Sequence, residues 1–194
     1  MAAWIRMISD DEASPKLRNA LEMARTPHGT VDNVMRVHSL RPNTMRGHVM
    51  LYRAALHDDD NTLPVWLQET IGSYVSLLNR CEYSYANHWT NARTLIGDEE
   101  RADLICEALR TGQLDLAFDG RELAVLEYAE KLTTSPGDVV EIDVIRLRDA
   151  GLDDGQILEA NQIIAYFNYV NRHLNGLGVT TSGDVIGYYT ESSN

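Results

Sequence analysis

Within the run Arg80-Cys81-Glu82-Tyr83-Ser84-Tyr85-Ala86-Asn87-His88, a thiol, a hydroxyl and an imidazole stand three and four residues apart. A helix beginning at or just before Cys81 therefore places Cys81, Ser84 and His88 on one face. In the first turn of such a helix, unpaired N–H groups and the helix dipole favour a thiolate, so Cys81 is expected to have a lowered pKa and to react as a nucleophile. Glu69 lies twelve residues before Cys81, on a preceding helical segment. An antiparallel pairing of the two helices brings its carboxylate towards His88, where it would orient the ring and strengthen it as a base. The same residue types also have a structural reading: a small apolar Cys at a helix start, a Ser bonded back to a carbonyl, and a packed His.

The elements that must position these groups are helical. Pro64 opens a helix whose apolar face is Leu67, Ile71, Tyr74, Val75 and Leu78, with Glu69, Ser73, Ser76 and Arg80 off that face. Tyr83 to Ile96 form the next helix, closed by Gly97, and Asp98 caps a segment running to Arg110 before Gly112. Upstream, Ser14 and Pro15 start a helix to about Arg25, His28 to Asn33 read as a loop, and Thr44 to Leu56 are helical. Downstream, a helix carrying Leu123, Leu126, Ala129 and Leu132 ends at Ser135-Pro136-Gly137. A short helix runs from an Asp138 cap to Gly151, and a last long one runs from Asp153 or Asp154 to Gly176, with Ile163, Phe167, Val170 and Leu174 as its stripe. About eight helices with short connections make an all-α bundle. The tail from Thr180 to Asn194 reads either as an arm against a neighbouring chain or as a fraying end.

The 194 residues, 44% of them hydrophobic, suit one globular domain over 1-194. Asp and Glu outnumber Lys and Arg by 29 to 17, and the net charge of −12 repels nucleic acid and anionic lipid. No apolar run is long enough for a membrane span, and Met1 to Asp11 lack the pattern of a secretory signal, so the expected compartment is cytoplasmic. Cys81 and Cys106 are too few for a disulfide framework or a thiolate zinc cage, and Cys106 reads as a buried structural residue beside Ala102, Ile105 and Leu109. His28, His38, His48, His57 and His173 are scattered without ligand spacing, so no metal site is expected. Trp66, Trp89, Tyr74, Tyr83 and Tyr85 are candidates for the wall of an apolar pocket near Cys81, or for core.

Glu69, Cys81 and His88 together resemble the alkylhydroperoxidase AhpD and carboxymuconolactone decarboxylase superfamily, whose pattern is Glu, eleven residues, Cys, two residues, Cys, three residues, His. Val31 to Pro42, Phe167 to Arg172 and Leu177-Gly178-Val179 are similar to flanking motifs of its peroxidase-related branch. The resemblance implies an AhpD-like helical bundle, a homo-oligomer, a small-molecule substrate and no cofactor. The chain departs from the pattern at Ser84, which stands where the family has the second cysteine, the one taken to attack peroxide. Tyr83 likewise stands where AhpD has a relay histidine. A serine forms neither a sulfenic acid nor a disulfide, so the family's dithiol cycle is closed to this chain.

What the resemblance then implies is a peroxidase working through Cys81 alone, with His88 as base, Glu69 orienting it, Ser84 donating a hydrogen bond, and an external thiol as reductant. The alternative is an acid–base enzyme resembling carboxymuconolactone decarboxylase, in which Glu69 and His88 act on a small carboxylate or lactone and Arg80 or Arg172 holds the anion. A degenerate member kept for ligand binding is the third. The amides Asn161, Asn168, Asn171 and Asn175 are assigned to a helix interface of the implied oligomer.

Overall fold

The computed structural model describes residues 1–190, and within them the chain is entirely helical. The order is α1 (Pro15–Met23), α2 (Asn33–Arg36), α3 (Pro42–Leu56), α4 (Val65–Leu78), α5 (Glu82–Ile96), α6 (Glu99–Thr111), α7 (Gly120–Thr134), α8 (Glu141–Asp149) and α9 (Asp154–Leu177). Two 3-10 turns, Leu114–Leu116 and Pro136–Asp138, interrupt the connections. Nine helices among the described residues thus replace the expected eight or so, the addition being the four-residue α2 inside the reach that followed the expected loop.

Most helix ends follow the local chemistry. Ser14 Oγ accepts the Leu17 N–H (3.2 Å) to start α1, and Asp98 accepts that of Arg101 (3.0 Å) to start α6. Asp153 and Gln156 form a reciprocal capping box at α9. Gly97 closes α5 at a φ of 65°, a left-handed conformation that costs glycine nothing. The short helix after α7 departs from expectation: Asp138 lies in the 3-10 turn, and α8 begins at Glu141 because Asp143 folds back onto the Val140 N–H (2.8 Å).

Helix α4 is the axis of the bundle, packed by α5, α7 and α9. Every residue from Leu67 to Ser76 is buried, so Glu69, Ser73 and Ser76 of the expected polar side do not face solvent, while Arg80, beyond the helix end, is exposed. Ser73 and Ser76 tolerate this by donating to the carbonyls of Glu69 (2.8 Å) and Gly72 (2.7 Å) one turn back. Gly72 carries the closest approach of α4 to α9, since a Cβ there would lie 2.3 Å from the Phe167 ring. Ile163, Phe167, Val170 and Leu174 are all inside, as their spacing requires. A second apolar cluster joins α1 to α3 through Leu17, Ala20, Leu21, Met45 and Val49.

The amide stripe of α9 is satisfied within the chain. Asn79 Nδ2 donates to Asn168 and Asn171 (both 3.1 Å), Asn161 to the Tyr128 hydroxyl (2.8 Å), and Asn175 to the Asn79 carbonyl (3.0 Å). The part of the C-terminal tail that is described also packs on its own chain. Asp184 accepts from the Asn33 N–H (3.0 Å) and the Tyr83 hydroxyl (2.5 Å), and Asn91 Oδ1 accepts the Tyr188 N–H (2.5 Å). Residues 191–194 of that expected arm lie outside the described residues.

Candidate active site

The turn Asn79-Arg80-Cys81 sets α5 back along α4. The Cys81 N–H reaches the Ser76 carbonyl (2.8 Å), and Arg80 takes a left-handed φ of 53° to permit it. Ser76 of α4 and Ser84 of α5 then meet with their hydroxyl oxygens 2.9 Å apart. Ser76 has one proton and stands within donating distance of both the Gly72 carbonyl (2.7 Å) and the Ser84 oxygen, so that proton is shared between them and Ser84 accepts.

Farther from the turn, Glu69 Oε2 lies 2.6 Å from His88 Nδ1. Glu69 is 1% exposed and is the only charged residue in α4. A buried carboxylate needs a strong donor, and the Nδ1–H of His88 supplies it. That bond fixes the imidazole tautomer and leaves Nε2, which has no hydrogen-bond partner among the described residues, as the basic atom. The Phe167 ring stands edge-on to the imidazole, 4.6 Å between centroids, and holds its plane from the α9 side. Glu69 Oε1 is buried without a partner among the described residues, as is His57 Nε2.

His88 and Ser84 open on a cavity of about 360 Å³. Val49, Val170 and Leu174 give it an apolar floor; Tyr52, His57, Tyr83, Asn87, Tyr166 and Tyr188 form polar-tipped walls; Arg25, Arg53 and Asp32 stand at its edge. Burial pushes the His57 imidazole down, and the Glu69 charge opposes that shift. Burial and the neighbouring Asp184 push Asp32 up to about 6.

Ser84 and His88 line the cavity and Glu69 joins it through His88, whereas Cys81 does not. It is 1% exposed, caps α5 with its backbone instead of standing in the first turn, and forms no part of the cavity wall. Burial pushes its thiol up, against hydrogen bonds from the Ser84 N–H and the Asn171 amide. The expected lowering of its pKa is therefore reversed: loss of water around the sulfur outweighs the favourable groups at the helix start. Cys106 departs from its expectation in the other direction, being half-buried with the Tyr85 hydroxyl 3.5 Å from its sulfur.

Among the expected aromatics only Tyr83 reaches the cavity; Trp66 instead carries the Arg101 guanidinium over its ring (4.7 Å), and Tyr74 donates to Glu130 (2.9 Å). The cavity's cations are Arg25 and Arg53 rather than Arg80 and Arg172, the latter being bonded to Asn168 (2.7 Å). His57, Tyr52, Tyr166 and Tyr188 had no motif to mark them. Three of the scattered histidines also converge, His38 Nε2 lying 2.9 Å from His48 Nδ1 and stacking on His173 at 4.3 Å.

No protein-family model matches the sequence, and no curated protein matches it either. Solved structures do. The chain is similar to an alkylhydroperoxidase AhpD core structure, an uncharacterized peroxidase-related protein from Ralstonia eutropha JMP134, with a TM-score of 0.81, 22% identity and coverage of 95% of this chain and 94% of that one. An uncharacterized peroxidase-related protein from Silicibacter sp. TM1040 gives 0.81, 21%, 98% and 95%. The debrominase Bmp8, as a cysteine-to-alanine variant in complex with 2,3,4-tribromopyrrole, gives 0.73, 17%, 91% and 90%. The fold is the AhpD-like helical bundle.

Proposed function

We propose that this chain is a proton-transfer enzyme in which His88, oriented by Glu69, acts as general base on a small carboxylate or lactone. The observation that carries this reading is the 2.6 Å contact between buried Glu69 and a His88 that lines the cavity. Removal of a proton next to a carbonyl creates an imidazolium at His88, and the Glu69 carboxylate stabilises that charge as it forms. Arg25 and Arg53 at the edge offer a local anchor for a carboxylate against the net charge of −12. The cavity volume and its apolar floor suit a small ring, the kind of ligand held in the Bmp8 complex. The test is isomerisation of a β,γ-unsaturated γ-lactone to its conjugated form, followed in the ultraviolet. His88→Gln should lose about 100-fold or more in kcat, while Cys81→Ser retains turnover. Equal rates for wild type and His88→Gln refute the reading.

A second reading is favoured by the two donors aimed at Cys81 and by the peroxidase-related neighbours. Here His88 takes the Cys81 thiol proton, the thiolate attacks a hydroperoxide oxygen, the O–O bond breaks, the alcohol leaves with that same proton returned by His88, and an external thiol reduces the sulfenic acid to thiol with release of water. Trapping of a sulfenic acid on Cys81 by mass spectrometry after hydroperoxide treatment supports it, and an unmodified Cys81 excludes it.

A further inference from the structure

Outside the Glu69–His88 pair, one line of buried polar groups crosses the protein. Thr44, exposed on α3, has its hydroxyl 2.9 Å from His38 Nδ1. His38 Nε2 is 2.9 Å from His48 Nδ1, and His48 Nε2 is 3.0 Å from the Tyr166 hydroxyl. His38, His48 and Tyr166 are 5%, 2% and 4% exposed, and Tyr166 lines the same cavity as His88. We propose that this chain of groups is a proton wire joining the surface at Thr44 to the cavity at Tyr166.

The chemistry of the line fits that role. Burial pushes His38 down to about 4 and His48 down to about 3, so both rings are neutral near pH 7. A neutral imidazole donates from one nitrogen and accepts at the other, and two such rings bonded Nε2 to Nδ1 must share one polarity. In the first polarity, Thr44 donates to His38, His38 Nε2–H to His48, and His48 Nε2–H to the Tyr166 oxygen. The Tyr166 proton is then free to point into the cavity. In the second, Tyr166 donates to His48, His48 Nδ1–H to His38, and His38 Nδ1–H to Thr44, whose own proton goes to the Arg41 carbonyl at 2.8 Å. Every buried nitrogen of the two rings is satisfied in either direction.

Passage from the first polarity to the second delivers one proton. Tyr166 gives its proton to a group in the cavity and takes the one on His48 Nε2. His48 Nδ1 then takes the proton of His38 Nε2, and His38 Nδ1 takes that of Thr44, which recovers one from water. No ring ends charged, so no imidazolium is left in the buried interior. A proton released in the cavity runs the same path backwards. Its use in turnover rests on the proton-transfer reading above: His88 removes a proton on one side of the substrate, and Tyr166 returns one on the other.

Selective ¹⁵N labelling of histidine, with two-bond proton–nitrogen correlation at pH 7, reads the tautomer of each ring in the intact chain. Tyr166→Phe leaves His48 Nε2 without a partner, and a stranded N–H is the worse outcome, so both rings are expected to carry their proton on Nδ1. Thr44→Val strands the outer nitrogen instead, and both rings are expected to carry it on Nε2. Whichever polarity the wild type holds, one of these variants must reverse both rings together. Reversal of one ring alone, or of neither ring in either variant, overturns the wire. With the lactone probe, Tyr166→Phe is expected to lower kcat about 100-fold with KM little changed. Loss of turnover in His88→Gln beside a full rate in Tyr166→Phe removes Tyr166 from the chemistry and leaves the base in place. An inactive wild type removes the base reading, and the tautomers still decide the wire.

Discussion

Replacing Gly72 by Ala tests how the bundle holds its base. In an ordinary helix interior this change stabilises by about 1 kcal/mol, because Gly loses more backbone freedom on folding than Ala. At Gly72 the added Cβ would sit 2.3 Å from two atoms of the Phe167 ring and 2.9 Å from a third. That ring is fully buried, set edge-on against Tyr166 at 5.3 Å and against His88 at 4.6 Å. It has no free direction in which to retreat. Overpacking of this kind costs about 1–3 kcal/mol, and since three ring atoms are met at once we take the upper part of that range. Net of the propensity gain, Gly72→Ala is expected to destabilise by about 1–2 kcal/mol, a fall in Tm of about 2–8 °C for a chain of this size. Urea titration and thermal melting measure it directly. Phe167→Leu in the Gly72→Ala background should recover part of the loss, giving a coupling energy of the sign expected for a steric contact. The displaced ring no longer holds the imidazole, so turnover falls more than stability does. A Gly72→Ala variant as stable as wild type or more so, with additive energies in the double variant, refutes the argument.

Glu69→Gln keeps the size of the side chain but removes the charge that supports an imidazolium, and kcat on the lactone probe should fall about 100-fold; an unchanged rate shows that His88 acts without it. Asp32 has a folded pKa raised to about 6 against an ordinary value of 3.8, through burial first and Asp184 second. The folded state therefore binds this proton more tightly than the unfolded chain, so the stability it contributes is full below about pH 4 and is lost as pH rises through about 6. Allowing for solvent screening at this partly open site, Asp32→Asn should be about 1 kcal/mol more stable than wild type at pH 8 and indistinguishable at pH 4. Urea titrations at the two pH values check the sign, and an equal difference at both removes the explanation. Iodoacetamide at pH 8 should alkylate Cys106 well before Cys81, because Cys81 is buried with a raised thiol pKa while Cys106 is half-buried; peptide mass spectrometry reads the order, and faster labelling of Cys81 restores it as the reactive thiol.

The sequence by itself determined the longer helices and the local arrangement on each one, while the four-residue α2 and the start of α8 were not legible in it. Ser14-Pro15, Gly97, Gly112 and the Asp153–Gln156 box are signals that act within a few residues, through backbone groups that each helix end leaves unpaired. Ile163, Phe167, Val170 and Leu174 share a face because of helical pitch alone, and the same pitch puts Ser84 and His88 together. The spacing from Glu69 to His88 also spans a single antiparallel turn, which is why that pair was legible. Contacts between helices remote in the chain were not, since they depend on which faces meet and at what angle. Tertiary structure alone sealed α4 from Leu67 to Ser76, turned the amides of α9 inward onto Asn79, and drew His57, Tyr166 and Tyr188 around one cavity. It also decided the state of Cys81, because the pKa of a thiol follows its total surroundings, and desolvation by the packed bundle outweighed the helix start that the sequence displays.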